Sequence, residues 1–278
     1  GSVMAKLSVI VPAYNAETTL RTAVESILSQ QVPGLEIIIV NDGSTDATDK
    51  ICHALASQNQ CIHVITQKNA GICAARNRGL EAASGEFLTF CDDDDLLWQG
   101  ALKLLLQTAE DTHADIVRGG YELLRQRPDG TFAEQPHPAG RPCTIELGRG
   151  GSYGAFLENS GPQFVWNALY RRSAIGNLRF DEHCRYGLED FIFNAGLYAR
   201  TDKVHYLPQP VYRHFESGQS TSQCQTVQAG DGLVQRTDLL LVGLLCRTGR
   251  IAGAVTAGQG CRLCSGIGTG VVGVLQIV

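Results

Sequence analysis

No apolar stretch of the 278-residue sequence approaches the ~20 residues that a membrane-spanning helix needs; strongly apolar runs such as Leu239 to Cys246 are far shorter. The start shows no basic segment followed by an apolar one, so no secretion signal is expected. Positive charge is not in excess either. With 23 Lys+Arg against 28 Asp+Glu the formal net charge is −5, whereas a dedicated nucleic-acid binder carries a basic surplus. Gly-x-Gly-x-x-Gly is missing after the first strand signal, which argues against a dehydrogenase built on a dinucleotide loop. A Gly-rich, basic phosphate loop is missing too: Ala13-Tyr14-Asn15-Ala16-Glu17 has neither property, and this weighs against a nucleotidyltransferase. Ten cysteines are too sparse for a disulfide scaffold and mostly sit in apolar runs, so they read as core thiols of a reducing compartment. Cys261 and Cys264 form a lone C-x-x-C that reads as free thiols rather than a zinc site. Together these features predict a soluble, cytoplasmic chain that could still rest against the inner face of a membrane.

What is present is a chain able to bury a full core, 44% hydrophobic and 18% charged. Leu7-Ser-Val-Ile-Val reads as a buried strand ending at Pro12. Leu20, Val24, Ile27 and Leu28 then share one helical face, with Asn15 as the expected N-cap and Pro33-Gly34 as the stop. Glu36-Ile-Ile-Ile-Val is the unbroken apolar run of a parallel strand covered on both faces. A helix through Ala47, Ile51 and Leu55, a strand at Cys61 to Ile65, a helix over Ala74 to Ala83 and a strand at Phe87 to Cys91 follow. Alternating strands and helices predict an α/β doubly wound sheet, whose ligands bind beyond the carboxyl ends of the strands. Those ends carry Tyr14-Asn15, Asn41-Asp42-Gly43, Asn69-Ala70-Gly71 and the run Asp92-Asp93-Asp94-Asp95. A helix at Leu102 to Ala109 and a short strand at Asp115 to Arg118 come next, then an irregular connection over Arg125 to Gly151.

Alternate side chains of an extended segment point the same way, so Asp92 and Asp94 share a face. Such a pair can hold one Mg²⁺ or Mn²⁺ and leave positions open for diphosphate oxygens. A solvated acidic loop is the plain alternative, but four adjacent like charges at the end of an apolar strand gain from a bound cation.

Val9-Ile-Val-Pro-Ala-Tyr-Asn, Val40-Asn-Asp-Gly-Ser-Thr-Asp, Asn69-Ala-Gly-Ile-Cys-Ala-Ala-Arg-Asn-Arg-Gly and Gly85-Glu-Phe-Leu-Thr-Phe-Cys-Asp-Asp-Asp-Asp follow in order within about 95 residues. Their order and spacing resemble the GT-A fold, family 2 inverting glycosyltransferases of bacterial surface-polysaccharide type, over roughly residues 5 to 222. The resemblance implies a Rossmann-like, mostly parallel central sheet with helices on both faces. It also implies a nucleotide-sugar-binding half at 5–115 and an acceptor-binding, catalytic half at 116–222. Residues 223–278 remain as a C-terminal extension of unknown role, partly helical around Leu233 to Leu245.

By the same resemblance the donor is a UDP-sugar, the cofactor Mn²⁺ or Mg²⁺, and the acceptor a hydroxyl of a glycan or lipid-linked glycan. Pro12, Tyr14, Glu17, Asp42, Asn69, Gly71, Arg76, Asp92, Asp93 and His214 correspond to donor-binding positions. Asp94, Asp92 and His214 correspond to metal ligands, with Asp94 the more direct. Gly187-Leu188-Glu189-Asp190 resembles the family's Glu-Asp motif, making Asp190 the general base and Glu189 its neighbour, although acids at a helix start are common for dipole reasons alone. Trp166 corresponds to an acceptor-side position and reads equally as a core tryptophan, and Asp95 corresponds to a structural or acceptor-side acid. Trp166-Asn-Ala-Leu-Tyr has Ala168 where the family often has lysine. Tyr212-Arg213-His214 with Ser217, Ser220 and Ser222 resembles the segment that closes over the diphosphate, with Arg213 as a phosphate partner. A non-catalytic nucleotide or carbohydrate module would keep Asp42 and the paired acids but not Glu189-Asp190.

Overall fold

β1 (Leu7–Ala13) and β2 (Leu35–Asp42) are buried along nearly their whole lengths, as runs of β-branched residues demand when both sheet faces are covered. The computed structural model describes residues 5–138, 143–146, 164–184 and 189–216. α1 (Leu20–Leu28), α2 (Thr48–Gln58), β3 (Ile62–Gln67), α3 (Ile72–Ala82) and β4 (Phe87–Phe90) complete the first half. β1 pairs in parallel with β2 and β4, and β2 with β3, so the carboxyl ends of all four strands lie along one edge.

The second half extends the same sheet with β5 (Leu96–Leu97), α4 (Ala101–Thr112), β6 (Ile116–Gln126), β7 (Phe132–His137), β8 (Cys143–Glu146), β9 (Ala168–Arg171), α5 (Arg172–Ile175), α6 (Glu189–Tyr198) and β10 (Lys203–Glu216). The sheet order is β3-β2-β1-β4-β9-β6-β10-β5, with β7 on β6 and β8 on β10. β9 enters antiparallel between β4 and β6, whereas β6 and β10 run parallel. One continuous sheet thus brings β6, β9 and β10 beside the ends of β1 and β4.

Three local expectations are corrected. Asn15 is not the N-cap of α1, which begins at Leu20 after Thr19. Instead Asn15 takes a left-handed φ of 50° and its Oδ1 accepts the Thr45 N–H at 2.8 Å, which ties the loop after β1 to the loop after β2. The strand from Asp115 is not short, because Gly119 and Gly120 continue it to Gln126; a methyl at Gly119 would meet Val211 Cγ1 at 2.5 Å. The segment expected to be irregular contains β7 and β8. β7 is a half-exposed edge strand carrying Pro136, and so lacks the apolar run that marks a buried strand. Its hairpin is set by Gly130 at φ 84° and by Asp129, whose Oδ1 accepts the Thr131 N–H and hydroxyl.

No helix among the described residues is long and apolar enough to cross a membrane. Of the described cysteines Cys52, Cys73 and Cys91 are buried thiols, with burial pushing Cys52 and Cys73 up to about 12. The 223–278 extension, Cys261 and Cys264, and Ser217, Ser220 and Ser222 lie outside the described residues.

Candidate active site

Pro12 sits near the end of β1, paired to Val40 on β2. The Ile10 carbonyl accepts the Cys91 N–H at 3.0 Å, so by strand alternation the nitrogen of Pro12 faces the same side, beyond the point where β4 has ended. The missing N–H therefore interrupts no strand pairing. Tyr14 follows and is half exposed, and its backbone N–H donates to Asp93 at 2.9 Å. Glu17 accepts the Ala47 N–H at 2.9 Å, while its own N–H donates to Asp46. These bonds hold the loops after β1 and β2 side by side.

Asp42 is buried, and its carboxylate accepts from Gln67 Nε2 (2.8 Å), the Ala70 N–H (2.9 Å) and the Gly71 N–H (2.8 Å). It thereby shapes the exposed 69–71 loop. Gly43 must be glycine, because it has a φ of 71° and an added Cβ would lie 2.6 Å from the backbone nitrogen of Asn69. Gly71, at φ 94°, immediately precedes α3.

α3 carries Arg76 inward. The helix lies flat on β1 because a side chain at Gly79 would collide with Ile10, and Asn77 pins it from the other side by bonds to Phe180 and Glu182. Arg76 is 2% exposed; Nη2 meets Asp92 Oδ1 at 3.1 Å, Nη1 meets Asp190 Oδ1 at 2.6 Å, and Glu189 stands at 3.9 Å. The Arg76 Nε has no hydrogen-bond partner among the described residues. The resemblance places this arginine toward the nucleotide, whereas here it is a buried tie between Asp92 and Asp190.

The four aspartates take four different roles. Asp92 gives one oxygen to Arg76 and leaves Oδ2 open, while its backbone N–H donates to the Tyr212 hydroxyl. Asp93 holds Tyr14, and desolvation together with the neighbouring carboxylates pushes it up to about 8. Asp94 reaches solvent and has no hydrogen-bond or ion-pair partner among the described residues. Desolvation, then Asp95 and Asp92, push it up to about 7; the crevice walls crowd it although part of the side chain meets water. Asp95 is fully buried, bonded through Oδ2 to His214 Nδ1 (2.9 Å) and through Oδ1 to the Phe215 N–H (2.8 Å). Both oxygens are engaged, so of the two roles expected for Asp95 the acceptor-side one is corrected and the structural one fits.

Trp166 is corrected likewise. It is 3% exposed and lies between rings, stacked on Phe164 at 4.4 Å, on Tyr212 at 4.3 Å and on His214 at 5.3 Å. With its faces covered by other aromatics it offers no open platform for a sugar. Arg213 is not free for phosphate: it bonds Glu122 at 2.7 Å, approaches Glu134 at 3.5 Å and lies over Trp98.

His214 is held above its ordinary value, at about 9. Burial alone would lower it, but the bond to Asp95 and the charges of Asp95, Asp92 and Asp94 outweigh that. With Nδ1 on Asp95, Nε2 is the nitrogen left for a ligand: as the N–H of the imidazolium it can donate to a phosphate oxygen, and it could take a cation only after giving up that proton. No three His, Cys, Asp or Glu side chains among the described residues close into a ready ligand set. The donor set suits a Mg²⁺-like ion, which uses one or two carboxylates and takes further oxygens from substrate phosphates. Asp94 and the open oxygen of Asp92 are the two carboxylates such an ion would use there.

Asp190, first turn of α6, is mostly buried. Its Oδ2 accepts the Val165 N–H at 3.0 Å, opposite the Arg76 contact. Desolvation pushes it up to about 6 against the pull of Arg76, with Glu189 and Asp92 adding to the rise. An ionised carboxylate with a proton affinity near neutrality is what a general base needs. The backbone donor of Val165 could not be nominated from sequence, since its side chain is ordinary and its role lies in the main chain.

The family described as glycosyl transferase family 2 matches residues 8–178. EpsH of Bacillus subtilis (strain 168) is 36% identical over 217 residues, covering 75% of this chain and 60% of that protein. The GalNAc(5)-diNAcBac-PP-undecaprenol beta-1,3-glucosyltransferase of Campylobacter jejuni is 32% identical over 220 residues, covering 78% of this chain and 68% of that protein. S. aureus TarS 1-349 in complex with UDP-GlcNAc has a TM-score of 0.70 at 21% identity, covering 86% of this chain and 66% of that one, a likeness of fold. The chain thus spans only part of the length of these proteins.

Proposed function

We propose, from the premise that the chain belongs to glycosyl transferase family 2, that it moves a sugar from a UDP-sugar to a hydroxyl of a glycan or lipid-linked glycan with inversion at the anomeric carbon. The observation that carries this reading is the Arg76 tie. It holds Asp92, an acid of the donor end, and Asp190, the expected base, on one guanidinium at the carboxyl ends of parallel strands. The donor assignment is supported by the ordered 69–71 loop held on Asp42 beside the half-exposed Tyr14, and by the UDP and UDP-GlcNAc complexes of the structurally similar TarS. The acceptor class is supported by the undecaprenol-linked glycan named for the Campylobacter relative.

In this reading Tyr14 and the 69–71 loop bind the nucleotide, and Asp190 takes the acceptor proton as the hydroxyl oxygen attacks the sugar from the side opposite the leaving diphosphate. Glu189 orients the acceptor or the sugar. Asp94 and Asp92 would hold Mn²⁺ or Mg²⁺, which supplies Lewis-acid neutralisation of the departing diphosphate, and His214 Nε2 would donate to a phosphate oxygen. A nucleotidyltransferase is disfavoured by the acidic, glycine-poor loop after β1. A non-catalytic module is disfavoured by the Glu189-Asp190 pair, which such a module would not keep and which Arg76 holds beside Asp92. The test is UDP release from a panel of UDP-sugars with Mn²⁺, with release from at least one expected. Failure of UDP itself to raise the melting temperature in the presence of Mn²⁺ would remove the donor assignment.

A further inference from the structure

Arg118, on β6, is 3% exposed and makes no ion pair among the described residues. A buried guanidinium without a carboxylate is costly unless neutral acceptors surround it. Here they do. Nε donates to the Tyr198 hydroxyl (3.1 Å), Nη1 to the Phe164 carbonyl (2.6 Å) and to Asn167 Oδ1 (2.7 Å), and Nη2 to Asn194 Oδ1 (2.9 Å).

Two of these contacts lead to Asp190. The Phe164 carbonyl belongs to the same peptide group as the Val165 N–H, and that N–H is the donor to Asp190 Oδ2 at 3.0 Å. A cation on the carbonyl polarises the peptide and strengthens its N–H as a donor, because hydrogen bonds in series reinforce one another at low dielectric. The other contact runs through Asn194, whose Nδ2 donates to the backbone carbonyl of Asp190 at 3.0 Å. The Tyr170 hydroxyl completes the frame by donating to the Val165 carbonyl at 3.0 Å.

We propose that Arg118 is a positioning residue for Asp190, gripping the 164–165 peptide that donates to its carboxylate and, through Asn194, the first turn of the helix that carries it. This rests on the reading of Asp190 as the base. The charged groups that face Asp190 are Arg76 from α3, Asp92 from the end of β4 and Glu189 from α6; Arg118 acts on it through the peptide rather than by contact.

The test follows the ¹³Cγ signal of Asp190 against pH in full-length protein labelled at aspartate and assigned with Asp190→Asn. Arg118→Met should raise the Asp190 midpoint by about one pH unit, as expected when a carboxylate loses support from a polarised donor. Arg118→Lys keeps the charge but cannot span both the 164 carbonyl and Asn194, so its midpoint should rise by less. Tyr198→Phe removes the Arg118 bond to the far end of α6, eight residues from Asp190, while leaving the 164–165 peptide and Asn194 contacts in place, and should leave the midpoint where it is. With whichever UDP-sugar the wild type hydrolyses, Arg118→Lys should lower kcat by up to about 10²-fold while the donor KM holds, as for a misplaced group. If Arg118→Met does not fold, Arg118→Lys carries the test. A folded Arg118 variant with an unmoved Asp190 midpoint overturns the proposal. The titration needs no substrate, so a wild type that releases no UDP would sink the transferase reading separately.

Discussion

Arg76 lies 2.6 Å from Asp190 while buried to 2% exposure, and its other terminal nitrogen lies 3.1 Å from Asp92. The pairing joins the two ends of the proposed reaction. In the proposed reaction Asp92 would meet the diphosphate and Asp190 would take the proton of the acceptor hydroxyl. Moving either acid moves the other through a rigid fork.

Replacing Arg76 by Met should therefore damage both function and stability. Removing one partner of a buried ion pair costs about 3–5 kcal/mol, because the charges left behind lose their compensation. A chemical denaturation curve measures this, and a loss below about 1 kcal/mol would show that the tie is not formed in solution. Arg76→Lys should fall between, since one ammonium cannot grip both carboxylates in the same geometry.

Asp94→Asn should abolish the Mn²⁺-dependent part of UDP binding while leaving the fold intact, because this carboxylate has no bond to any described neighbour. Calorimetry with UDP, with and without Mn²⁺, measures it. An unchanged Mn²⁺ enhancement in the variant would take Asp94 out of the ligand set.

Trp166 separates packing from recognition. Trp166→Ala should destabilise by about 3–5 kcal/mol, as large-to-small changes of buried aromatics do. Trp166→Phe should fold and keep its acceptor KM within about two-fold, since a ring covered by Phe164, Tyr212 and His214 makes no sugar contact. A large acceptor-KM defect in Trp166→Phe would restore the platform role.

Stability of the cation-free protein should fall as pH rises from 5 to 9. Asp190, Asp94 and Asp93 are pushed up to about 6, 7 and 8 from an ordinary 3.8, so their favourable protonated forms are lost across that window. His214, raised to about 9 from 6.5, adds stability that is full below its ordinary value and lost as pH passes 9, the same sign. Glu36 and Glu86 are shifted downward, and their stabilisation is already complete by pH 5. Mn²⁺ with UDP should flatten the decline by favouring the ionised acids. Melting temperatures at intervals of pH measure both effects, and a rise between pH 5 and 9 without cation contradicts the assignment.

Strands β1 and β2 were legible because unbroken apolar runs such as Ile37-Ile38-Ile39-Val40 have one physical use, burial on both faces. Motif order singled out Asp42, Arg76, Asp92, Asp94 and Asp190, and the structure gathers Arg76, Asp92 and Asp190, although the order did not reveal that Arg76 faces Asp190 across 114 positions of chain. β7 was hidden because an edge strand needs no apolar run, and β6 because its glycines answer to a neighbour, Val211, far along the chain. Trp166 and Asp95 failed as acceptor contacts for one reason. Sequence shows that an aromatic or an acid is present, but burial by Tyr212, His214 and Phe215 is set by β10, which arrives from the other end of the sheet.

The most direct test compares UDP release from UDP-sugars with Mn²⁺ by wild type and Asp190→Asn, alongside UDP affinity for both. The wild type should turn over with activity rising through pH 6, and Asp190→Asn should keep UDP affinity yet lose about 10²–10⁴-fold in turnover, the usual worth of a general base. Near-wild-type turnover by a folded Asp190→Asn would contradict the account, for the proton would then leave through another group.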